Sequence, residues 1–244
     1  MKVLDLFSGI GGFSLGLERA GMETVAFCEI EEYPRQVLAK RFPGPKIYRD
    51  VKELTSDQCT ADGITGIECI TAGFPCQPYS RGNWKRTGRE DLRDLSEETI
   101  RLVSEFKPTV FVGENTEGFI DIGLLPFVDD LEEIGYFTES ISVPACAYGL
   151  PTLERHVWLI ATTSRERSQR YVEETIQNIE GLQGQFQGSN TRIPDRWSAA
   201  KSRVLRVGEG VSRRLDRMRV KAMGNAVDPI MPELIGRAIM QAEA

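Results

Sequence analysis

At 244 residues, 41% hydrophobic and 27% charged, the chain has the size of one large domain, or of one domain with a small appendage, and can bury a core without a disulfide or metal staple. It has no run of about 18 apolar residues, which excludes a membrane-spanning helix, and Met1–Leu6 is too short and too acidic to read as a secretory signal. Five cysteines with no C-x-x-C pair, and a single histidine, argue against a disulfide framework, a zinc ribbon, a His-based metal site and a Ser-His-Asp triad, and point to a reducing compartment.

The first half alternates strand and helix signals, and the series ends with a strand at Val157–Thr162. Lys2–Phe7 reads as a strand that runs into Ser8-Gly-Ile-Gly-Gly12 and a helix carrying Phe13, Leu15, Leu17 and Ala20. Thr24–Cys28 is a second strand, followed by a helix over Glu31–Arg41 and a short third strand at Ile47-Tyr48. Ile67–Ala72 is the fourth strand, and Pro75–Arg89 is a long polar loop of the kind that usually carries function. Leu95–Phe106 is helical, Thr109–Gly113 a buried strand, Leu124–Ile134 a helix, and Tyr136–Val143 and Val157–Thr162 are further strands. Strands separated by helices of about ten residues imply βαβ units and an α/β fold: a doubly wound, mainly parallel, Rossmann-like sheet. From about Ser164 to Val211 the pattern weakens, with a Gly/Gln-rich stretch at Gly181–Asn190, and is read as a small irregular insert. Order returns at Arg213–Met223 and at a helix over Met231–Ala242. The expected division is 1–163, 164–211 and 212–244.

The net charge of −6 is unevenly spread. Residues 1–150 carry 15 basic and 25 acidic side chains, and residues 151–244 carry 15 and 11. Between Thr191 and Lys221 ten basic residues face three acidic ones, which suits a polyanion-binding face or, equally, a solvated Arg-rich surface.

The chemically suggestive residues fall at strand ends, where ligands bind in a doubly wound sheet. Gly9, Gly11 and Gly12 at a strand-to-helix turn let backbone approach a ligand, although Ser14 stands where G-x-G-x-x-G needs its third glycine. Glu29 is placed to accept from ribose hydroxyls, and Asp50 from an adenine amino group. Cys76, between Pro75 and Pro78, is a thiol held by stiff backbone, and the cations that follow it (Arg81, Lys85, Arg86, Arg89, Arg93) favour its thiolate. Cys28, Cys59, Cys69 and Cys146 read as structural. Glu114 ends a buried strand, and a carboxyl held partly out of water can keep a proton for a ring nitrogen.

Together these segments resemble the DNA (cytosine-5) methyltransferases, in their small phage or bacterial form. Asp5-Leu-Phe-Ser-Gly-Ile-Gly-Gly12 resembles that family's S-adenosylmethionine loop, and Gly73-Phe-Pro-Cys-Gln-Pro-Tyr-Ser80 its catalytic Pro-Cys loop. Glu114-Asn115 resembles the start of its Glu-Asn-Val motif, and Gly224-Asn-Ala-Val227 its last motif. The matches run in family order and span most of the chain.

The resemblance implies a class I S-adenosylmethionine-dependent methyltransferase fold and attack of Cys76 on C6 of a cytosine flipped out of the duplex. It further implies Glu114 acting at N3, beside Asn115, and methyl transfer to C5 without a metal. The cofactor positions are Phe7, Gly9, Ile10, Gly11, Gly12, Glu29, Ile30, Asp50, Val51, Pro75, Asn225 and Ala226. DNA contacts are expected from Ser80, Arg81, Lys85, Arg86 and Arg89, and from Arg192, Arg196, Arg203 and Arg213. The segment 164–211 is where the family reads sequence. At about 48 residues it implies a short or degenerate target in double-stranded DNA.

Three departures stand out. Thr116 replaces the valine of Glu-Asn-Val, and Ile30 stands where an aromatic often packs on adenine. Thr152-Leu-Glu-Arg-His156 stands where the family has Gln-x-Arg-x-Arg, so Arg155 or His156 is the candidate to hold the base oxygen. The alternatives are a tRNA cytosine-5 methyltransferase and a DNA-binding homologue that has lost catalysis. A cytoplasmic monomer, in a prokaryotic or phage-infected cell, is the expected setting.

Overall fold

The chain is described by a computed structural model covering residues 1–79, 91, 94–150, 152–188, 222 and 226–243. Its strands are β1 (Lys2–Leu6), β2 (Glu23–Cys28), β3 (Lys46–Tyr48), β4 (Ile67–Ala72), β5 (Val110–Thr116), β6 (Phe137–Pro144) and β7 (Arg155–Thr162). They form one sheet in the order β3-β2-β1-β4-β5-β7-β6. The first five run parallel, and β7 runs antiparallel to both of its neighbours. The expected mainly parallel, doubly wound sheet is therefore present.

Strand side chains alternate between the two faces of a sheet, and the sequence fills both faces with apolar groups. Leu4, Leu6, Ile70, Ala72, Phe111 and Leu159 join one buried cluster, while Val3, Cys69, Val110, Val112, Trp158 and Ile160 join another. Helices α3 (Ser56–Ala61), α4 (Ser96–Phe106), α5 (Glu117–Ile122) and α6 (Leu124–Glu133) cover the first face through Cys59, Leu102, Phe119 and Phe127. Helices α1 (Gly12–Arg19), α7 (Arg165–Gly188) and α8 (Ile230–Ala242) cover the second through Phe13, Leu17, Tyr171, Ile179, Met231 and Ile235. Helix α2 (Glu32–Arg41) packs Leu38 on Phe27 and Phe42.

The irregular insert expected from residue 164 does not hold over 165–188, which form α7. Its buried stripe is Ser168, Tyr171, Thr175 and Ile179, spaced by three and four residues as a helix face requires. Three of those four carry hydroxyls, so hydrophobicity alone hides the period. The buried hydroxyls are satisfied: Tyr171 donates to Glu243 Oε1 at 2.6 Å, and Thr175 donates to the Tyr171 carbonyl at 2.7 Å. Asn178 Nδ2 donates to the Leu234 carbonyl at 3.1 Å, fixing α7 against α8. Helices α3 and α5, each of six residues, also escaped the sequence pattern. The ordered stretch expected over Arg213–Met223 lies outside the described residues, apart from Ala222.

Candidate active site

The chain turns back at β1, building β2 and β3 on one side and β4 and β5 on the other, so the crevice outside the carboxyl ends of β1 and β4 is the switch point where such sheets bind ligands. A cavity of about 460 Å3 opens there. It is lined from five successive strand ends, by Phe7 and Gly9, Glu29 and Ile30, Asp50 and Val51, Gly73–Gln77, and Glu114 and Thr116. Because β7 is antiparallel, its first residues lie at the same edge and contribute His156.

The loop after β1 is held in a backbone conformation most side chains avoid: φ is +53° at Phe7, +53° at Gly9 and +85° at Gly11. Ser8 locks it to β2. Its N–H donates to the Cys28 carbonyl at 3.1 Å, and its hydroxyl accepts from Cys28 N–H at 3.2 Å. Glu29 completes the clamp: its Oε2 accepts from Gly9 N–H at 2.8 Å and its Oε1 from Glu31 N–H at 2.7 Å. Each oxygen keeps lone-pair capacity for a hydroxyl in the cavity. Ile30 is 59% exposed, an apolar side chain left bare at the cavity wall.

Two arginines not singled out in the sequence brace this end. Arg35 donates to the carbonyls of Glu29 (3.1 Å) and Ile30 (2.5 Å). Arg101, held by Glu98 and Glu105, donates to the carbonyls of Val51 (2.7 Å) and Leu54 (3.1 Å). Among expected cofactor positions, Phe7, Gly9, Glu29, Ile30, Asp50, Val51, Pro75 and Ala226 line the cavity. Gly11 and Gly12 are buried behind it, and Ile10 is half-buried outside its lining. At Gly12 an added Cβ would lie 1.9 Å from the Val227 carbonyl oxygen, and at Gly16 2.3 Å from that of Pro229. Glycine in α1 thus admits the returning segment that carries Ala226 and Val227. Gly16 takes the close-packing role that the G-x-G-x-x-G spacing denies to Ser14. Asn225 lies outside the described residues.

At the other end, Phe74 anchors the Cys76 loop by stacking on Phe127 (5.1 Å between centroids) and meeting Phe119 edge-on. A turn closes from Tyr79 N–H to the Cys76 carbonyl at 2.9 Å. Asn115, buried, reaches the Phe74 carbonyl through Nδ2 at 3.4 Å, so it positions the loop and does not line the cavity. Glu114 Oε1 is 2.5 Å from His156 Nδ1, and Oε2 lies beside Gly73, 3.4 Å from where a Cβ would stand. His156 is pulled up from its ordinary pKa first by the hydrogen bond to Glu114, against the cost of burial. Arg155 is exposed and absent from the cavity lining, as strand alternation from His156 requires. Of the two candidates for the altered arginine motif, the fold brings only His156 to the site.

Among the described residues, burial first and then the Glu114 charge push the Cys76 thiol up. The cations expected to lower it, and the other expected DNA contacts (Ser80, Arg81, Lys85, Arg86, Arg89, Arg192, Arg196, Arg203 and Arg213), lie outside the described residues. Of the cysteines read as structural, Cys28, Cys59 and Cys69 are buried and Cys146 is exposed, on a 3-10 turn over Ala145–Tyr148. Residues at the cavity that sequence reasoning passed over include Arg49, Leu95 and Glu154. None belongs to a recognisable spacing.

The sequence profile of the C-5 cytosine-specific DNA methylases matches residues 1–207. The type II methyltransferase M2.BsuMI of Bacillus subtilis (strain 168) is 31% identical over 170 residues, covering 66% of this chain and 42% of that protein. M.NgoMIV of Neisseria gonorrhoeae is 33% identical over 162 residues, covering 65% and 50%. The chain thus spans about half, or less, of the length of these relatives. Among solved structures, a prophage-encoded E. coli protein described as a DNA modification methyltransferase aligns with TM-score 0.56 at 29% identity, over 66% of this chain and 46% of that one. Spodoptera frugiperda DNMT2 shares the fold with TM-score 0.54 at 24% identity, over 67% and 50%. The residues that build the cavity lie within the matched span but for Ala222, Ala226 and Val227, and the chain belongs to the C-5 cytosine-specific DNA methylase family.

Proposed function

We propose that the chain transfers a methyl group from S-adenosylmethionine to C5 of a cytosine flipped out of double-stranded DNA, with Cys76 bonding transiently to C6. The observation that carries this reading is one cavity with Cys76 and Glu114 at one end and Glu29, Ile30 and Asp50 at the other. The second end suits a nucleoside: a buried, anchored carboxylate for ribose hydroxyls, a bare aliphatic side chain for a ring face, and a left-handed loop that brings backbone close. When bound there, S-adenosylmethionine supplies a methyl group on a positively charged sulfur. The protein's own part is to hold the base. Cys76 attacks C6 from a loop fixed by Phe74 and Asn115, and Glu114 meets N3 as electrons collect there.

Residues 1–163 supply this catalytic unit in the proposal. Helix α7 belongs with it, since it packs on α8 and the sheet. That leaves the reading of DNA sequence to residues after 188, fewer than the 48 first expected, which favours a short or degenerate target. The arginines of 189–221 and of 80–93 meet phosphates, and the protein works as a monomer in the cytoplasm. Among the described residues no helix is long and apolar enough to cross a membrane.

The test is incubation with tritiated S-adenosylmethionine and either duplex DNA or tRNA, with Cys76→Ala as control. Label should enter cytosine C5 in DNA only, and a 5-fluorocytosine duplex should trap Cys76 covalently. Label on tRNA alone, or no trapped adduct, refutes the reading.

A further inference from the structure

Glu114 is not alone at the reacting end. Its Oε1 is 2.5 Å from His156 Nδ1, and both side chains line the cavity beside Cys76. We propose that Glu114 and His156 form a proton-holding pair, in which the histidine supplies through Glu114 the proton that the cytosine ring takes at N3. This rests on the function proposed above. It assigns His156 a role different from holding the base oxygen, as a positioning and proton-supplying residue that acts through Glu114.

The surroundings support a held proton. Thr116 faces His156 across the β5–β7 pair, and Glu154, on the segment leading into β7, lies 3.9 Å from His156 Nε2. Cys76, on the loop after β4, feels the charges of both Glu114 and Glu154. The buried Tyr148 hydroxyl, on the 3-10 turn, feels Asp228, Glu114 and Glu154. Among the described residues lining the cavity, Glu29, Glu31, Asp50, Glu114 and Glu154 are acidic, and the cationic candidates are Arg49 and His156. A proton on the imidazole is the charge the acids at this end call for.

The addition step then balances. The Cys76 S–H bond breaks and the Sγ–C6 bond forms. The C5=C6 electron pair moves to C4–C5, and the C4=N3 pair collects on N3. N3 takes the proton of the Glu114–His156 pair, and the thiol proton replaces it. When the thiolate is expelled the N3 proton returns to the pair, and the proton the pair took from the thiol goes back to Sγ. An arginine in place of His156 would offer Glu114 charge and donors but no proton to give up, whereas histidine offers both.

His156 is the one histidine of the chain, so its ring Cε1–H proton gives a single NMR resonance. Titrated in the full-length protein without DNA or cofactor, it should show a midpoint above about 6.5. In Glu114→Gln the midpoint should fall. The kcat/KM–pH profile for DNA methylation should carry a falling limb at the same midpoint. His156→Gln should lower kcat at pH 7 by about 10- to 100-fold, less than the roughly 10²–10⁴-fold of a general acid itself, and should remove the limb. His156→Arg should remove the limb and restore kcat only in part. A wild-type midpoint at or below the ordinary value overturns the pair, as does a limb that persists in both variants. Full recovery of kcat in His156→Arg overturns proton supply. Wild-type protein with a raised midpoint but no methyl transfer to DNA fails at the function reading instead and removes the proton's destination.

Discussion

Asp5 lies fully buried on β1, one residue before the strand ends, with Ser14 Oγ donating to its Oδ2 at 2.7 Å and Thr71 Oγ1 to its Oδ1 at 2.9 Å. Burial dominates these two hydrogen bonds and raises its pKa from 3.8 to about 7, helped slightly by the nearby Glu29 charge. Below about pH 4 the carboxyl is protonated in folded and unfolded chains alike, and its contribution to stability is complete. As pH climbs toward 7 the unfolded chain releases the proton while the folded chain keeps it, so stability falls. Above 7 the loss is complete. A shift of that size corresponds to about 4 kcal/mol. Asp5→Asn fixes the group neutral; one of the two hydroxyls still donates to the amide oxygen, and the other can rotate to accept from the amide N–H. Any cost of that rearrangement is constant with pH. Urea unfolding of both proteins from pH 4 to 8 should therefore show the variant gaining on the wild type by up to about 4 kcal/mol across the window. A difference that stays level from pH 4 to 8 would refute the reasoning.

Gly12→Ala should lower stability by about 1–3 kcal/mol or more, because its methyl meets the backbone oxygen of Val227 and no rotamer relieves it; thermal melting reads this directly. Arg101→Ala frees the carbonyls of Val51 and Leu54 and should weaken S-adenosylmethionine binding by about 1 kcal/mol, about fivefold in Kd by calorimetry. If the basic run between Arg192 and Lys221 meets phosphates, DNA affinity should fall steeply with salt. Arg213→Gln should then reduce the slope of log K against log [salt] by about 1.

What the sequence displayed and what it hid divide along physical lines. The parallel strands announced themselves because both of their faces are buried, which leaves runs such as Val110-Phe-Val-Gly113 with no polar break. The candidate site residues were visible because they stand at or just beyond strand ends: Glu29, Cys76 and Glu114 are polar where the pattern asks for apolar. Arg35 and Arg101 were invisible because they act by bonding carbonyls of another segment, and no local pattern marks a long-range partner to a main-chain oxygen. Helix α7 was misread because its buried stripe uses Ser168 and Thr175, whose hydroxyls are satisfied by main-chain carbonyls. The role of Gly16 shows a subtler limit. The expected spacing failed at Ser14, yet the close approach it signals occurs one helical turn from Gly12.

The thiol that the sequence marks as nucleophile is held in its unreactive form by the described residues: burial and the Glu114 charge both oppose the thiolate. That is consistent with catalysis if activation is coupled to the substrate. An acid that keeps a full negative charge beside Cys76 raises the cost of a second one, and a shared proton on Glu114 and His156 removes that cost. Passing the proton to N3 as the Sγ–C6 bond forms means that neither the sulfur nor the carboxylate carries its charge alone beside the other. A base seated in the cavity then acts in the same direction. In the proposed reaction the thiol is thereby kept from other electrophiles, and the cytosine ring completes the proton path.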